Sequence, residues 1–184
     1  MSLIHVSNLT FGYEGSFENV YENASFSIDT DWKLGLIGRN GRGKTTFLNL
    51  LLGNFEYRGS ITASVDFDYF PFAVADSSMT PLEIAENYLF THFEQWQLNR
   101  EISLLELTDE ILYRPFYTLS NGEQTKILLA ILFLKENSFL LIDEPTNHLD
   151  THARQVLAKY LDKKQGFILV SHDRAFLDST IDHV

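Results

Sequence analysis

A glycine-rich run near the start of the chain has the residue types needed to hold phosphate groups. Residues 38–46 read Gly-Arg-Asn-Gly-Arg-Gly-Lys-Thr-Thr, between an apolar run at 34–37 and a helical pattern that begins near Lys44. Glycines let successive backbone N–H groups curl around a phosphate, and a helix start adds its positive dipole end. Lys44 adds a point charge, and Thr45 adds a hydroxyl oxygen that can bind Mg²⁺. The run therefore predicts a phosphate-binding loop rather than a tight turn with a solvated lysine, and the residues expected to contact nucleotide are Gly38, Asn40, Gly41, Gly43, Lys44, Thr45 and Thr46.

Two carboxylates at the end of an apolar strand form a second candidate site. Asp143 and Glu144 directly follow the run Phe139 to Ile142. Ligands of open α/β sheets bind at the carboxyl ends of the strands, so this pair is expected near the phosphates. We expect Asp143 to hold Mg²⁺ through water and Glu144 to act as general base for an attacking water. A solvated acidic strand end is the alternative.

The elements around these motifs predict an α/β fold. The first segments alternate apolar and polar residues, as antiparallel strands do, and the run at 3–13 is expected at a sheet edge. Continuous apolar strands later alternate with helices, which predicts a parallel core sheet. Strands are expected at 3–13, 24–28, 32–37, 59–63, 65–69, 138–142 and 166–170, and helices at 44–52, 120–135, 150–162 and 173–178.

The middle of the chain has a helical pattern instead. Thr80 as N-cap, Pro81 at the first helical position and Glu83 two residues later predict a helix start. We interpret about 77–136 as a small helical insertion within a single domain that covers residues 1–184. The first helix is expected to bury one face made of Leu82, Ala85, Leu89, Phe93 and Trp96.

Composition limits the classes of protein and partner. The chain has 25 acidic and 14 basic residues and a net charge of −11, which argues against a broad surface for nucleic-acid phosphates. It has no cysteine, which favours a reducing compartment and excludes disulfides. The sequence has neither an apolar run of membrane-spanning length nor a secretory signal pattern at its start. We therefore expect a cytoplasmic protein without membrane insertion.

Three further segments resemble motifs of the ATP-binding cassette (ABC) family. Residues 119–124 (LSNGEQ) resemble its LSGGQ-type signature, 143–150 (DEPTNHLD) its Walker B and D-loop, and 170–174 (VSHDR) its switch-histidine segment. With the phosphate loop, these motifs occur in the family's order and extend over essentially the whole chain. The resemblance implies a P-loop NTPase fold with a parallel core sheet, an N-terminal antiparallel β subdomain and a small helical subdomain. It also implies ATP and Mg²⁺ as the bound species.

The resemblance assigns roles to residues outside the phosphate loop. It implies that Ser120, Gly122 and Glu123 contact the ATP held by a facing cassette rather than the ATP of their own. It implies that His172 hydrogen-bonds the γ-phosphate, although a lone histidine is more often a packing or surface residue. It places Tyr13 where an aromatic ring stacks on adenine, with an edge-strand aromatic as the alternative.

Two positions depart from the family pattern. Asn121 replaces the first glycine of the signature, and because asparagine tolerates left-handed geometry the turn can survive. Phe72 stands where the family has the glutamine of its Q-loop. A phenyl ring neither ligates Mg²⁺ nor orients water, so metal coordination is expected to rest on Thr45, Asp143, phosphate oxygens and water.

The form of the motifs resembles one group within the family. Asn147 and His148 in DEPTNHLD are similar to those of ABC-F proteins, which carry two cassettes in one chain and act on the ribosome. The chain looks most like the first cassette of Lsa-type antibiotic-resistance members and is interpreted as a fragment. A second, head-to-tail cassette, or a homodimer of the fragment, is then expected as partner, and an isolated cassette is expected to be a weak ATPase. A transporter's nucleotide-binding subunit and an interaction module with little catalysis are the alternatives.

Overall fold

Two sheets form the framework of the part of the chain that this computed structural model describes, residues 2–38, 41, 43–89 and 93–184. One sheet is antiparallel, with the order β2-β1-β4, and the other is parallel, with the order β3-β7-β6-β5. The strands are β1 (Leu3–Phe11), β2 (Tyr21–Asp29), β3 (Lys33–Leu36), β4 (Arg58–Thr62), β5 (Asp66–Phe70), β6 (Ser138–Asp143) and β7 (Phe167–Val170).

Strand β1 lies in the middle of the antiparallel sheet. Its residue His5 pairs with Ser27 of β2 on one side and with Thr62 of β4 on the other. The expectation of an edge strand at 3–13 was therefore wrong. An alternating pattern shows that one face is buried, as Ile4 and Val6 are here, but it does not show how many strands pair with it.

The parallel sheet brings the carboxyl ends of its strands to one edge. Strands β6 and β7 are continuous apolar runs, and their central residues are buried, as expected for strands covered on both faces. Every pairing in this sheet is parallel, and Asp143 at the end of β6 is in register with Val170 at the end of β7. The segments that follow β3, β5, β6 and β7 therefore meet at the same edge.

Helices follow or cover these strands, and side-chain caps begin several of them. Ser120 and Glu123 form a capping box at the start of α4, while Asp150 and Asp173 cap α5 and α6. In the described residues, no helix is long and apolar enough to cross a membrane. The helices are α1 (Lys44–Leu51), α2 (Pro81–Leu89), α3 (Gln95–Leu104), α4 (Asn121–Leu132), α5 (Thr151–Asp162) and α6 (Arg174–Asp178), and short 3₁₀ turns cover Asp109–Tyr113 and Phe116–Thr118.

The predicted start of α2 is confirmed, but its predicted buried face is only partly correct. The Thr80 backbone N–H donates to the carboxylate of Glu83 at 2.7 Å, and the Glu83 N–H donates back to the Thr80 hydroxyl at 3.3 Å. Trp96 was expected to be buried, yet it is 59% exposed. The reason is that Phe93 and Glu94 are not helical and a separate helix begins at Gln95, which breaks the helical period. Of the other four residues, Ala85 and Leu89 are buried and Leu82 and Phe93 are half-buried.

A buried carboxylate links α3 to α5. Glu101 is 1% exposed, and its Oε2 accepts hydrogen bonds from the Tyr160 hydroxyl at 2.6 Å and from the Lys164 ammonium. Its Oε1 accepts from Arg100 at 3.0 Å. Burial alone would raise the pKa of Glu101, but the hydrogen bonds and the positive charge of Lys164 outweigh burial and hold this pKa below its ordinary value. These hydrogen bonds therefore connect α3, in the helical region, to α5 and the residues that follow it.

Candidate functional site

A cleft of about 740 Å³ lies at the carboxyl edge of the parallel sheet. Most of the residues predicted to bind nucleotide or metal line this one cleft, although they come from segments far apart in the chain. The predicted residues in its wall are Tyr13, Gly41, Gly43, Lys44, Thr45, Thr46, Asp143, Glu144 and His172. The fold therefore brings together, in one cleft, residues that belong to separate sequence motifs.

The end of the glycine-rich run is shaped for an anion. Gly43 caps α1 with a φ of 88°, and a Cβ atom there would lie 2.6 Å from a methyl group of Val20. Only glycine fits this position, and without a side chain it leaves the first N–H groups of α1 to an external acceptor. The Tyr21 hydroxyl donates to the Gly43 carbonyl at 2.8 Å, and the Lys44 ammonium donates to the Gly38 carbonyl at 2.8 Å.

Asp143 is joined by hydrogen bonds to two distant hydroxyl groups. The Thr45 hydroxyl donates to its Oδ2 at 3.1 Å, and the Tyr69 hydroxyl donates to the same oxygen at 3.0 Å. Burial, and then the negative charge of Asp143, raise the pKa of Tyr69 above its ordinary value. Sequence reasoning missed Tyr69. The available signal was its place near the end of β5, the strand that pairs with β6.

Glu144 and His172 face each other at the ends of β6 and β7. Glu144 has a left-handed backbone, with φ of 51°, and its N–H donates to the Val170 carbonyl at 2.8 Å. The His172 N–H donates to Oε2 of Glu144 at 3.3 Å. The Nε2 of His172 lies 3.2 Å from Oε1 without hydrogen-bond alignment, and within the described residues the buried Oε1 has no hydrogen-bond partner. One carboxylate oxygen is therefore held by a backbone N–H, and the other lies beside the imidazole ring.

Tyr13 presents an aromatic ring that is held in place at the mouth of the cleft. It lies two residues beyond the end of β1, and it is 48% exposed. Phe11 and Phe55 contact the ring edge-on at centroid distances of 5.1 and 5.8 Å. The hydroxyl shares a hydrogen bond of 2.7 Å with the Thr46 hydroxyl. A fixed and partly exposed ring suits stacking on a base.

Three residues of the signature, Ser120, Gly122 and Glu123, lie at the start of α4 and outside the lining of the cleft. The Ser120 hydroxyl donates to the Glu123 carboxylate at 2.9 Å and accepts from the Glu123 N–H at 3.3 Å. Gly122 is half-buried next to them. The next positions of the helix, Asn121 and Gln124, do line the cleft. The predicted contact of Ser120, Gly122 and Glu123 with a facing cassette stays a prediction.

Two other positions complete the comparison with the expected site. Phe72 does not line the cleft; its ring stacks on Tyr88 with centroids 4.0 Å apart, on the side of α2. Asn40 lies outside the described residues, so its expected contact with nucleotide also stays a prediction.

The donor atoms at Asp143 fit magnesium. Hydroxyl and carboxylate oxygens are the ligands that Mg²⁺ prefers, and it is commonly held by one or two such side chains together with phosphate oxygens and water. The Thr45 hydroxyl and the Asp143 carboxylate supply this set within 3.1 Å of each other. Within residues 2–38, 41, 43–89 and 93–184, no group of three His, Asp or Glu side chains converges as a metal site.

The fold is that of known ABC proteins. A bacterial Atm1-family ABC exporter with ATP bound superposes with a TM-score of 0.77 at 18% identity, over 98% of this chain and 37% of the exporter chain. The likeness at this low identity concerns the fold alone. It agrees with the expected parallel core sheet and N-terminal antiparallel sheet.

Sequence comparison identifies the family. The model of the family described as ABC transporter matches residues 21–147. Ribosome protection protein VmlR of Bacillus subtilis is 35% identical, over 96% of this chain and 32% of its own length. ABC transporter F family member 3 of Arabidopsis thaliana is 30% identical, over 99% of this chain and 26% of its own length. The chain thus spans about a quarter to a third of the length of these curated relatives. Because the family model matches well over half of the residues, this chain belongs to the ATP-binding cassette (ABC) family.

Proposed function

We propose that this chain is one ATP-hydrolysing cassette of a longer, cytoplasmic ABC-F protein that acts on the ribosome. The observation that carries the catalytic part is the position of Glu144 in the cleft wall with Lys44 and Asp143, where its Oε1 accepts no hydrogen bond from the described residues and lies 3.2 Å from His172 Nε2. A carboxylate oxygen in that position can take a proton from a water that attacks a bound phosphate.

Each residue of the cleft has a distinct part in this reaction. The N–H groups at the start of α1 and the Lys44 ammonium bind the phosphates, and the Tyr13 ring stacks on adenine. Thr45 and Asp143 would hold Mg²⁺, which supplies positive charge beside the phosphate oxygens. Glu144 takes the proton of the attacking water. His172 follows the end of β7 beside it and donates a hydrogen bond toward the γ-phosphate.

The cleft is one part of a complete site in this proposal. The start of α4, with Ser120 and Gly122, is a helix N-terminus that can bind an anion. Neither Ser120 nor Gly122 lines the cleft of its own chain, although Asn121 and Gln124 of the same helix do. We propose that this helix start closes over the ATP of a second cassette, in a head-to-tail pair. Under this proposal, the domain of residues 1–184, with its helical insertion at about 77–136, is one of two cassettes in the full protein.

The relatives support the ribosomal part of the proposal. VmlR is named a ribosome protection protein, and its resemblance extends over nearly the whole chain. The motif forms, with Asn147 and His148 after the Walker B carboxylates, point to the same group. We therefore propose that the full protein protects ribosomes from antibiotics, with lincosamides, streptogramin A and pleuromutilins as the classes to test.

A ribosome-binding experiment tests this proposal. The full-length protein with Glu144→Gln is expected to stay in its ATP-bound form and to co-sediment with ribosomes in ATP but not in ADP. Glu136→Gln is the matched control, because Glu136 is exposed and lies outside the cleft. A trapped protein that binds ATP but never co-sediments with ribosomes would contradict the ribosomal role. Expression of the wild-type gene in a susceptible host, with growth measured against the three drug classes, tests the protective role.

A further inference from the structure

One carboxylate oxygen of the cleft receives two hydroxyl donors from two different elements. The Oδ2 of Asp143 accepts from Thr45 at 3.1 Å and from Tyr69 at 3.0 Å. Thr45 lies in the first turn of α1, and Tyr69 lies in β5, so three separate elements meet at this atom. The phosphate-loop and Walker B motifs account for Thr45 and Asp143 but not for Tyr69.

Strand β5 is held firmly on the face opposite to Tyr69. The side chain of the preceding residue, Asp68, is buried and accepts hydrogen bonds from Tyr88 at 2.9 Å, Lys135 at 2.7 Å and Ser138 at 2.7 Å. Neighbouring residues of a strand point to opposite faces, so fixing Asp68 also fixes the direction of Tyr69. Tyr69 is therefore an anchored donor, not a mobile side chain that happens to reach the carboxylate.

The segment made of the end of β5 and Pro71 brings no other polar side chain to the cleft. Its residues in the cleft wall are Tyr69, Phe70 and Pro71. Phe72, the next residue, stacks on Tyr88 and lies outside the wall. The Tyr69 hydroxyl is thus the polar group through which this described segment contacts the residues that would hold Mg²⁺.

We propose that Tyr69 is a positioning residue that orients the Asp143 carboxylate and thereby sets the Mg²⁺ concentration at which the cassette binds nucleotide. The inference rests on the proposed ATP site. A carboxylate turns readily about its last torsion, and a second donor restricts that rotation. Partners that hold a metal ligand from behind typically change metal affinity by about 10- to 100-fold when they are removed.

The test is a Mg²⁺ titration of nucleotide binding by Tyr69→Phe. Binding of a fluorescent ATP analogue is measured from EDTA to millimolar Mg²⁺. We expect the variant to need about 10-fold more Mg²⁺ for half-maximal binding, with affinity in EDTA unchanged. Tyr117→Phe is the matched control, because Tyr117 is 64% exposed and outside the cleft. An unchanged Mg²⁺ midpoint in a folded Tyr69→Phe protein would overturn the proposal.

Two further variants separate positioning from a general structural effect. In an Asp143→Asn background, Tyr69→Phe is expected to add no further shift of the Mg²⁺ midpoint, since Tyr69 acts through Asp143. If Tyr69→Phe does not fold, Tyr69→Leu also removes the hydroxyl donor and is expected to raise the midpoint by about 10-fold; no shift, or an equal shift in the Asp143→Asn background, would overturn the proposal. Wild-type protein that binds no nucleotide with or without Mg²⁺ would instead remove the proposed ATP site itself.

Discussion

The backbone N–H of His172 donates to one oxygen of the Glu144 carboxylate at 3.3 Å, while the other oxygen, 3.2 Å from the imidazole Nε2, is buried without a hydrogen bond in the described structure. The two residues follow neighbouring parallel strands, β6 and β7, whose ends are in register. The carboxylate is thus held through Oε2, and Oε1 lies beside the His172 imidazole. The two oxygens of the Glu144 carboxylate therefore have different surroundings: Oε2 accepts a hydrogen bond and Oε1 does not.

Replacing Glu144 with Gln is expected to stop hydrolysis without removing ATP binding. The amide keeps the size of the side chain but cannot take a proton, and loss of general-base catalysis lowers rates by about 10²- to 10⁴-fold. Phosphate release by the full-length protein measures the rate, and a fluorescent ATP analogue measures binding. Glu136→Gln should leave both values unchanged. If the Glu144→Gln variant hydrolysed ATP at the wild-type rate, Glu144 would not be the base.

Removing the ring of Tyr13 is expected to weaken nucleotide binding through the base. Base–aromatic stacking contributes about 1–3 kcal/mol, so Tyr13→Ala should raise the dissociation constant for ATP by about 5- to 150-fold. Tyr13→Phe keeps the ring between Phe11 and Phe55 and loses only the hydrogen bond to Thr46, so its effect should be a few-fold at most.

The comparison of ligands gives the control for this prediction. Inorganic triphosphate lacks a base, and competition by triphosphate should be equal in wild type and Tyr13→Ala. An equal loss of triphosphate binding would mean that the substitution disturbs the phosphate loop through Thr46 and would argue against stacking.

Glu101 is expected to stabilise the fold in a pH-dependent way. Removing one partner of a buried ion pair costs about 3 kcal/mol or more, so Glu101→Gln should lower the free energy of unfolding by about 3 kcal/mol at pH 7. The folded-state pKa of Glu101 is below its ordinary value of 4.5. Its contribution is therefore fully present above that value and is lost as pH falls through the folded-state pKa.

Urea unfolding across pH measures both effects. The difference between wild type and Glu101→Gln should be constant from neutral pH down to about pH 5 and should shrink below it. Glu110→Gln, at an exposed position, is the control and should change stability by less than about 0.5 kcal/mol. A difference that stays constant at acid pH would show that the carboxylate charge is not what stabilises the contact.

The parts of the site that were predictable are those with a local signal. Lys44 lies at a helix start and Asp143 at a strand end, each within a short motif, so their types and neighbours are sufficient to indicate their place. Thr45 and Asp143 are 98 residues apart, and their closeness followed from the parallel sheet that the apolar runs predict. Tyr69 has no such motif, and its contact with Asp143 crosses 74 residues. It becomes visible only when the register of β5 against β6 is known.

The errors in the fold have the same origin. The pattern of Leu3–Phe11 shows a half-buried strand but not its second neighbour β4, which comes from residues almost 50 positions later. Trp96 fits the spacing of a buried face, yet its burial depends on whether α2 continues past Leu89, which propensity alone does not decide. Local patterns thus predict the type of an element better than its length or its partners.

Hydrolysis by the isolated 184-residue cassette is expected to depend on its own concentration. In the proposed head-to-tail pair, each cleft is completed by the Ser120–Gln124 segment of another cassette, so a monomer should turn over ATP poorly. Activity per molecule should rise with protein concentration as homodimers form. Turnover measured over a hundredfold range of concentration, with size measured by light scattering, gives this dependence.

A complementation experiment shows directly whether two chains share a site. Lys44→Ala destroys the phosphate loop but keeps an intact helix start at Ser120, whereas Ser120→Arg keeps the cleft and blocks that helix start. Each variant alone should be inactive. Their mixture should regain activity, because a mixed pair contains one complete site formed by the cleft of one chain and the helix start of the other. Activity of Ser120→Arg alone, or a mixture that stays inactive although it forms dimers, would contradict the sharing of a site between cassettes.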